Sequence, residues 1–92
     1  MKFEEAKEKM SSIHKLHTAR DSEGELIFYK KPYSAKRIKI IQNNKEEVFD
    51  LEKVTHMSLD KMGVLIQYKP VDTNNWHPFP MKTINDIIVE NE

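Results

Sequence analysis

The period of the apolar positions changes along the chain. From Met1 to about Ala19, Phe3, Ala6, Met10, Ile13 and His17 recur at alternating spacings of three and four, and Leu16 widens the stripe. That spacing predicts one amphipathic helix over residues 1–19. Glu4 and Glu5 near its start, and Lys15, His17 and Arg20 near its end, suit the helix macrodipole. Such a stripe packs on a sheet. Pairing two copies of the chain as a short heptad is the other reading, and about five turns are few for it.

After Gly24 the pattern shortens to that of strands. Residues 25–30 are dense in apolar and β-favouring side chains. Pro32 ends that run, because proline cannot donate to a ladder. Residues 36–42 alternate, with Ile38 and Ile40 on one face and Arg37, Lys39 and Ile41 on the other. Asn43-Asn44 tolerates the left-handed backbone of a tight hairpin, so the chain reverses into a strand over 47–51. A strand over 54–59 follows. Asp60-Lys61-Met62-Gly63 then fits a type I turn into 64–69, with Val64, Ile66 and Tyr68 sharing a face. The expected core is Ile38, Ile40, Val64, Ile66 and Tyr68 with Phe3, Met10 and Ile13 packed over them.

Residues 69–80 carry three prolines, two asparagines, Trp76 and Phe79, and read as an irregular loop. A loop that long in so small a domain is either functional or a crossover whose Trp76 and Phe79 plug the core. The tail, 81–92, reads as a strand or a short helix. Ile84, Ile87 and Ile88 have helical spacing, whereas Ile87-Ile88-Val89 is a β-branched run. A faint internal echo favours the strand. Val48 to Met57 lines up with Pro78 to Ile87, so that Phe49, Leu51, Val54 and Met57 fall on Phe79, Met81, Ile84 and Ile87.

With 92 residues the chain makes one domain, 1–92, with a thin core. The elements and the absence of a βαβ rhythm predict an α+β fold: the N-terminal helix packed on a mostly antiparallel sheet of five to six strands. The chain has no cysteine, which removes disulfides and thiolate chemistry and fits a reducing cytoplasm. The charged N-terminus does not read as a secretory signal, and no apolar run reaches membrane-spanning length. Thirteen lysines to two arginines, with abundant Asn and Ile, fit an AT-rich genome such as that of a low-GC bacterium or its phage.

Charge is balanced overall but unevenly placed. Residues 26–42 hold five cations and no acid, against five cations and six acids in 1–25 and five cations and nine acids in 43–92. Catalytic patterns are missing. No Gly-x-Ser-x-Gly elbow occurs, and two glycines cannot build a phosphate-cradling loop. His14 and His17 stand three apart, with His56 and His77 elsewhere, but no His-Glu-x-x-His pattern accompanies them, so no metal or other cofactor is expected.

The expected function is that of a non-enzymatic binding or regulatory module that contacts another protein through an acidic surface on that partner. The residues expected to meet it are Tyr29, Lys30, Lys31, Tyr33, Lys36, Arg37, Lys39 and Trp76. The alternative is a nucleic-acid binder using the basic-aromatic stretch 28–39, where rings and phosphate-pairing cations interleave.

Overall fold

The computed structural model describes residues 1–13, 15–20 and 24–91, with the backbone alone for 15–17, 19 and 20. It is α+β, as expected, but with eight strands rather than five or six, and in two sheets rather than one. The helix α1 (Phe3–Lys9) is followed by β1 (Lys15–Arg20), β2 (Glu25–Lys30), β3 (Arg37–Gln42) and β4 (Lys45–Asp50). A 3₁₀ turn, Leu51–Lys53, leads to β5 (Val54–Asp60), β6 (Leu65–Pro70) and β7 (His77–Pro80). A second 3₁₀ turn, Met81–Thr83, leads to β8 (Ile84–Glu90). The larger sheet runs β1-β2-β5-β6-β7 and the smaller β4-β3-β8, and every described pairing is antiparallel.

The helix stops at seven residues, where the apolar spacing predicted nineteen. Met10 caps it, and the Ser11 hydroxyl donates to the Glu8 carbonyl at 2.7 Å. A serine that bonds locally to the backbone offers the chain an exit from the helix. Residues 15–20 then gain a ladder with β2, which outweighs their weak helical preference. His17 accordingly lies in a strand and not on a helix. The apolar stripe is nonetheless buried, since Phe3, Ala6, Met10 and Ile13 all reach the core from helix and turn together.

Helix α1 closes one open side between the two sheets. Lys7 reaches Glu25 at 3.2 Å, Lys9 reaches Asp86 at 3.1 Å, and the Lys61 ammonium lies 5.7 Å from the centre of the Phe3 ring. The Met1 ammonium donates to the carbonyls of Met81 at 2.8 Å and Ile84 at 3.1 Å. The exposed Lys9–Asp86 pair contributes only tenths of a kcal/mol, and the helix is held chiefly by its buried face.

The sequence echo is a structural duplication. In β3-β4-β5 and again in β6-β7-β8, a hairpin ends in a 3₁₀ turn from which the third strand enters the opposite sheet. Leu51 donates its N–H to the Lys36 carbonyl at 2.9 Å, and Met81 donates its own to the Val64 carbonyl at 3.0 Å. Phe49 lies opposite Ile38 as Phe79 lies opposite Ile66. An extra residue interrupts the ladder at Thr55 in β5 and at Asn85 in β8, the same place in each unit. The tail is therefore a strand, and part of the region expected to be a loop over 69–80 is β7.

Ile38, Ile40 and Ile66 are fully buried between the sheets, and Tyr68 is half-buried. Val64 is not in the core: it is 51% exposed, in the turn before β6, with φ +52°. Asp60 accepts the Met62 and Gly63 N–H groups at 3.0 Å, and a side chain at Gly63 would meet the Asp60 carboxylate at 2.8 Å. The turn thus runs one residue longer than the four-residue type I turn, and the left-handed residue is a β-branched valine. The β3–β4 hairpin puts Asn43 (φ +50°) and Asn44 (φ +64°) in that conformation instead. We expect Val64→Asn to stabilise the fold by about 1 kcal/mol through relief of left-handed strain. Ile40→Ala should cost about 2–5 kcal/mol by opening a cavity. Urea unfolding checks both, and a stable Ile40→Ala variant or a weakened Val64→Asn variant would contradict this assignment of faces and turn.

Candidate partner-binding groove

The basic stretch does not form one surface. Its residues are distributed over four places by the alternation of β2 and β3 and by the connection between them. Tyr29 faces inward and is only 2% exposed, so it belongs to the core and not to a partner surface. Burial first, and the Glu25 carboxylate second, push its hydroxyl up to about 12.

Arg37 and Lys39 point outward from the smaller sheet, where acids flank them. Lys39 lies 3.1 Å from Glu46 and 3.5 Å from Glu90, and Arg37 lies 3.7 Å from Glu90. The bond to Glu46, reinforced by Glu90, holds the Lys39 ammonium above its ordinary range. These two cations balance the acids of β4 and β8. Val48 and Ile88, both exposed, stand on either side of Lys39 in the register.

Lys31, Tyr33 and Lys36 come together in the β2–β3 connection, where the Lys31–Pro32 peptide is cis. They line a groove of about 660 Å³ with Pro32, Ala35, Leu51 and Glu52. The first 3₁₀ turn forms one wall because the Leu51 N–H is tied to the Lys36 carbonyl, and Lys36 in turn donates to the Glu90 carbonyl at 2.9 Å. Asp50 caps the turn by accepting the Glu52 N–H at 3.1 Å. The floor is apolar, from Pro32, Ala35, Leu51 and the Tyr33 ring, and the rim carries two cations and one acid. The volume falls within the range of ordinary ligand pockets. A smaller recess of about 160 Å³ continues past Lys36 between Arg37, Asp50 and Glu52.

The Tyr33 hydroxyl is shut away from water and has no hydrogen-bond partner among the described residues. Burial raises its ionisation well above the ordinary tyrosine range. Among the described residues no ion pair engages Lys31 or Lys36. The pairing of Lys39 and Arg37 therefore leaves the cations of the connection to face the groove.

Lys30 and Trp76, the other expected site residues, lie away from the groove, on the outer face of the larger sheet. Trp76 is 38% exposed, and its ring centroid is 6.4 Å from that of His56. Phe79 is buried, so of the two aromatics only Phe79 plugs the core. It meets Phe49 and Tyr68 at centroid distances of 5.6 and 5.8 Å. Leu51 and Glu52 were absent from the sequence-based set, because only the echo pointed at the 3₁₀ turn and it carried no chemistry.

Among the described residues no group of three or more His, Asp and Glu is placed to hold a metal. His14 lies outside them, as does the His17 side chain. No helix of the described residues is long and apolar enough to cross a membrane. The chain matches no protein-family model, no curated protein and no solved structure.

Ionisation of the buried tyrosines is disfavoured in the fold, with Tyr29 up to about 12 and Tyr33 and Tyr68 also raised. The unfolded chain loses these protons near pH 10, so stability is intact below about pH 10 and falls as pH climbs toward 12. Thermal midpoints between pH 8 and 12 should fall less steeply for Tyr29→Phe and Tyr33→Phe together than for the wild type. Equal slopes would contradict the burial assigned to both rings.

Proposed function

We propose that the protein is a non-enzymatic binding module that docks a short acidic segment of another protein into the Lys31–Lys36 groove. The carrying observation is the pairing of an apolar floor with two cations, Lys31 and Lys36, that no carboxylate of the described residues engages. An apolar side chain of the partner fills the floor, and carboxylates on either side of it meet the lysines. Glu52 on the rim disfavours a uniformly acidic ligand and so selects for a central uncharged residue.

The duplication supports the apolar anchor. Leu51 and Met81 hold the same place in the two units. At Met81 the carbonyl takes the Met1 ammonium, and the Met1 side chain packs against the core. At Leu51 the described chain supplies no such segment, and the groove lies there. A partner residue of Met or Leu size is the counterpart of Met1.

A labelled peptide with one Leu between pairs of Glu tests the proposal by fluorescence anisotropy. Binding should saturate and weaken at least about tenfold for Lys31→Glu with Lys36→Glu, about 1.4 kcal/mol. Replacing the Leu by Ser should weaken it similarly, whereas Lys45→Glu, in the β3–β4 hairpin, should leave it unchanged. Tyr33→Phe should fold at least as stably as the wild type. Affinity indifferent to the two lysine reversals would contradict the proposal.

A further inference from the structure

The outer face of the larger sheet carries a row of basic side chains that folding alone does not explain. Lys30 on β2 lies directly opposite His56 on β5, and His56 directly opposite Lys69 on β6. Residues opposite one another in antiparallel strands point to the same face, and like charges so placed are destabilising. Trp76, just before β7, extends the row, with its ring tilted 46° against that of His56. Three adjacent strands and the residue leading into a fourth therefore present cation, imidazole, cation and indole in a line.

Among the described residues, no carboxylate stands in the rows next to the lysines. The neighbouring row on these strands is Phe28, Ser58 and Gln67, which carries no charge. Beyond it lie Leu26, Asp60 and Leu65, and the Asp60 carboxylate accepts the Met62 and Gly63 N–H groups of the turn. Among the described residues no ion pair engages Lys30 or Lys69, whereas Lys7, Lys9, Arg37 and Lys39 are all paired. Partial burial, then Lys69 and Lys30, hold the His56 imidazole below its ordinary range.

We propose that Lys30, His56, Lys69 and Trp76 form a second site, separate from the groove, that takes a phosphate ester carrying a planar base. Lys30 and Lys69 stand two strands apart, roughly 10 Å, so a phosphate can sit over His56 within reach of both ammonium groups. The base stacks on the exposed indole beside it. Stacking on an exposed aromatic tolerates any base, and lysine recognises phosphate as a point charge, so the site has little sequence preference. The ligand is either a mononucleotide or a nucleotide within a single strand.

Trp76 is the only tryptophan, so its fluorescence reports this site alone. Inorganic phosphate, a mononucleotide and a short single-stranded oligothymidylate are the three probes, with the imidazole shift of His56 followed by NMR alongside. Phosphate alone should raise the pH at which His56 titrates without quenching Trp76, and base-bearing ligands should do both. Equal affinity for mononucleotide and oligonucleotide identifies the former as the ligand class. At least about tenfold tighter, salt-sensitive binding of the oligonucleotide identifies the latter. Lys30→Glu with Lys69→Glu should remove the quenching and raise the His56 titration in the free protein, because it converts the repulsive row into an attractive one. Lys31→Glu with Lys36→Glu should change neither, so failure at this row is separable from failure at the groove. No quenching by either nucleotide probe at low salt, or quenching unaffected by the reversals at Lys30 and Lys69, would overturn the proposal.

Discussion

The two 3₁₀ turns are the constraint on which the architecture depends. Each lets a strand leave the sheet of its own hairpin and complete the other one, so that β5 pairs with β6 and β8 pairs with β3. Because the exchange is reciprocal, neither unit has a finished sheet without the other, and cutting either turn would leave two incomplete surfaces. Leu51 and Met81 anchor the turns. Both are fully buried, and both donate their N–H to the residue just before the first strand of the unit. The core between the sheets is then filled from both units by Ile38, Ile40, Met57, Leu59, Ile66 and Ile87.

The same duplication accounts for what differs between the two ends. The Met81 turn is covered by Met1 and the short helix, whose lysines bridge both sheets. The Leu51 turn faces the β2–β3 connection, which arches over it and leaves a groove. The two repeated units thus differ at their turns, one covered by Met1 and the helix and the other beside the groove. Among the described residues no ion pair engages the lysines at the open end, whereas acids of β4 and β8 neutralise Arg37 and Lys39. The two proposed sites, the groove and the outer-face row, use separate side chains.

Much of this was legible from side-chain alternation. The faces of β3, the Asn43-Asn44 reversal and the strands over 25–30 and 54–59 follow from local pattern, because each hairpin must bury the same residues that alternate. The helix was overextended because Met10 and Ile13 keep helical spacing while lying in a turn, and the pairing of residues 15–20 with β2 is a tertiary gain that spacing does not register. Val64 was misplaced because an apolar residue at a strand start reads as core, although here it takes a left-handed backbone. The site was half legible. Lys31, Tyr33 and Lys36 lie within one connection, whereas Tyr29 alternates inward and Leu51 and Glu52 arrive from fifteen or more residues away. The Lys30–His56–Lys69 row is invisible in one dimension, since it exists only through register between strands.

The central claim is that the Leu51 end is an open seat for an acidic, apolar-anchored segment. Backbone amide shifts recorded during titration with the Leu-centred acidic peptide test it most directly. The account predicts perturbations confined to residues 31–37 and 50–52, with the Met81 turn and the row at residues 30, 56 and 69 unmoved. Shifts centred on β4 and β8, or spread evenly over the lysines of the chain, would contradict it.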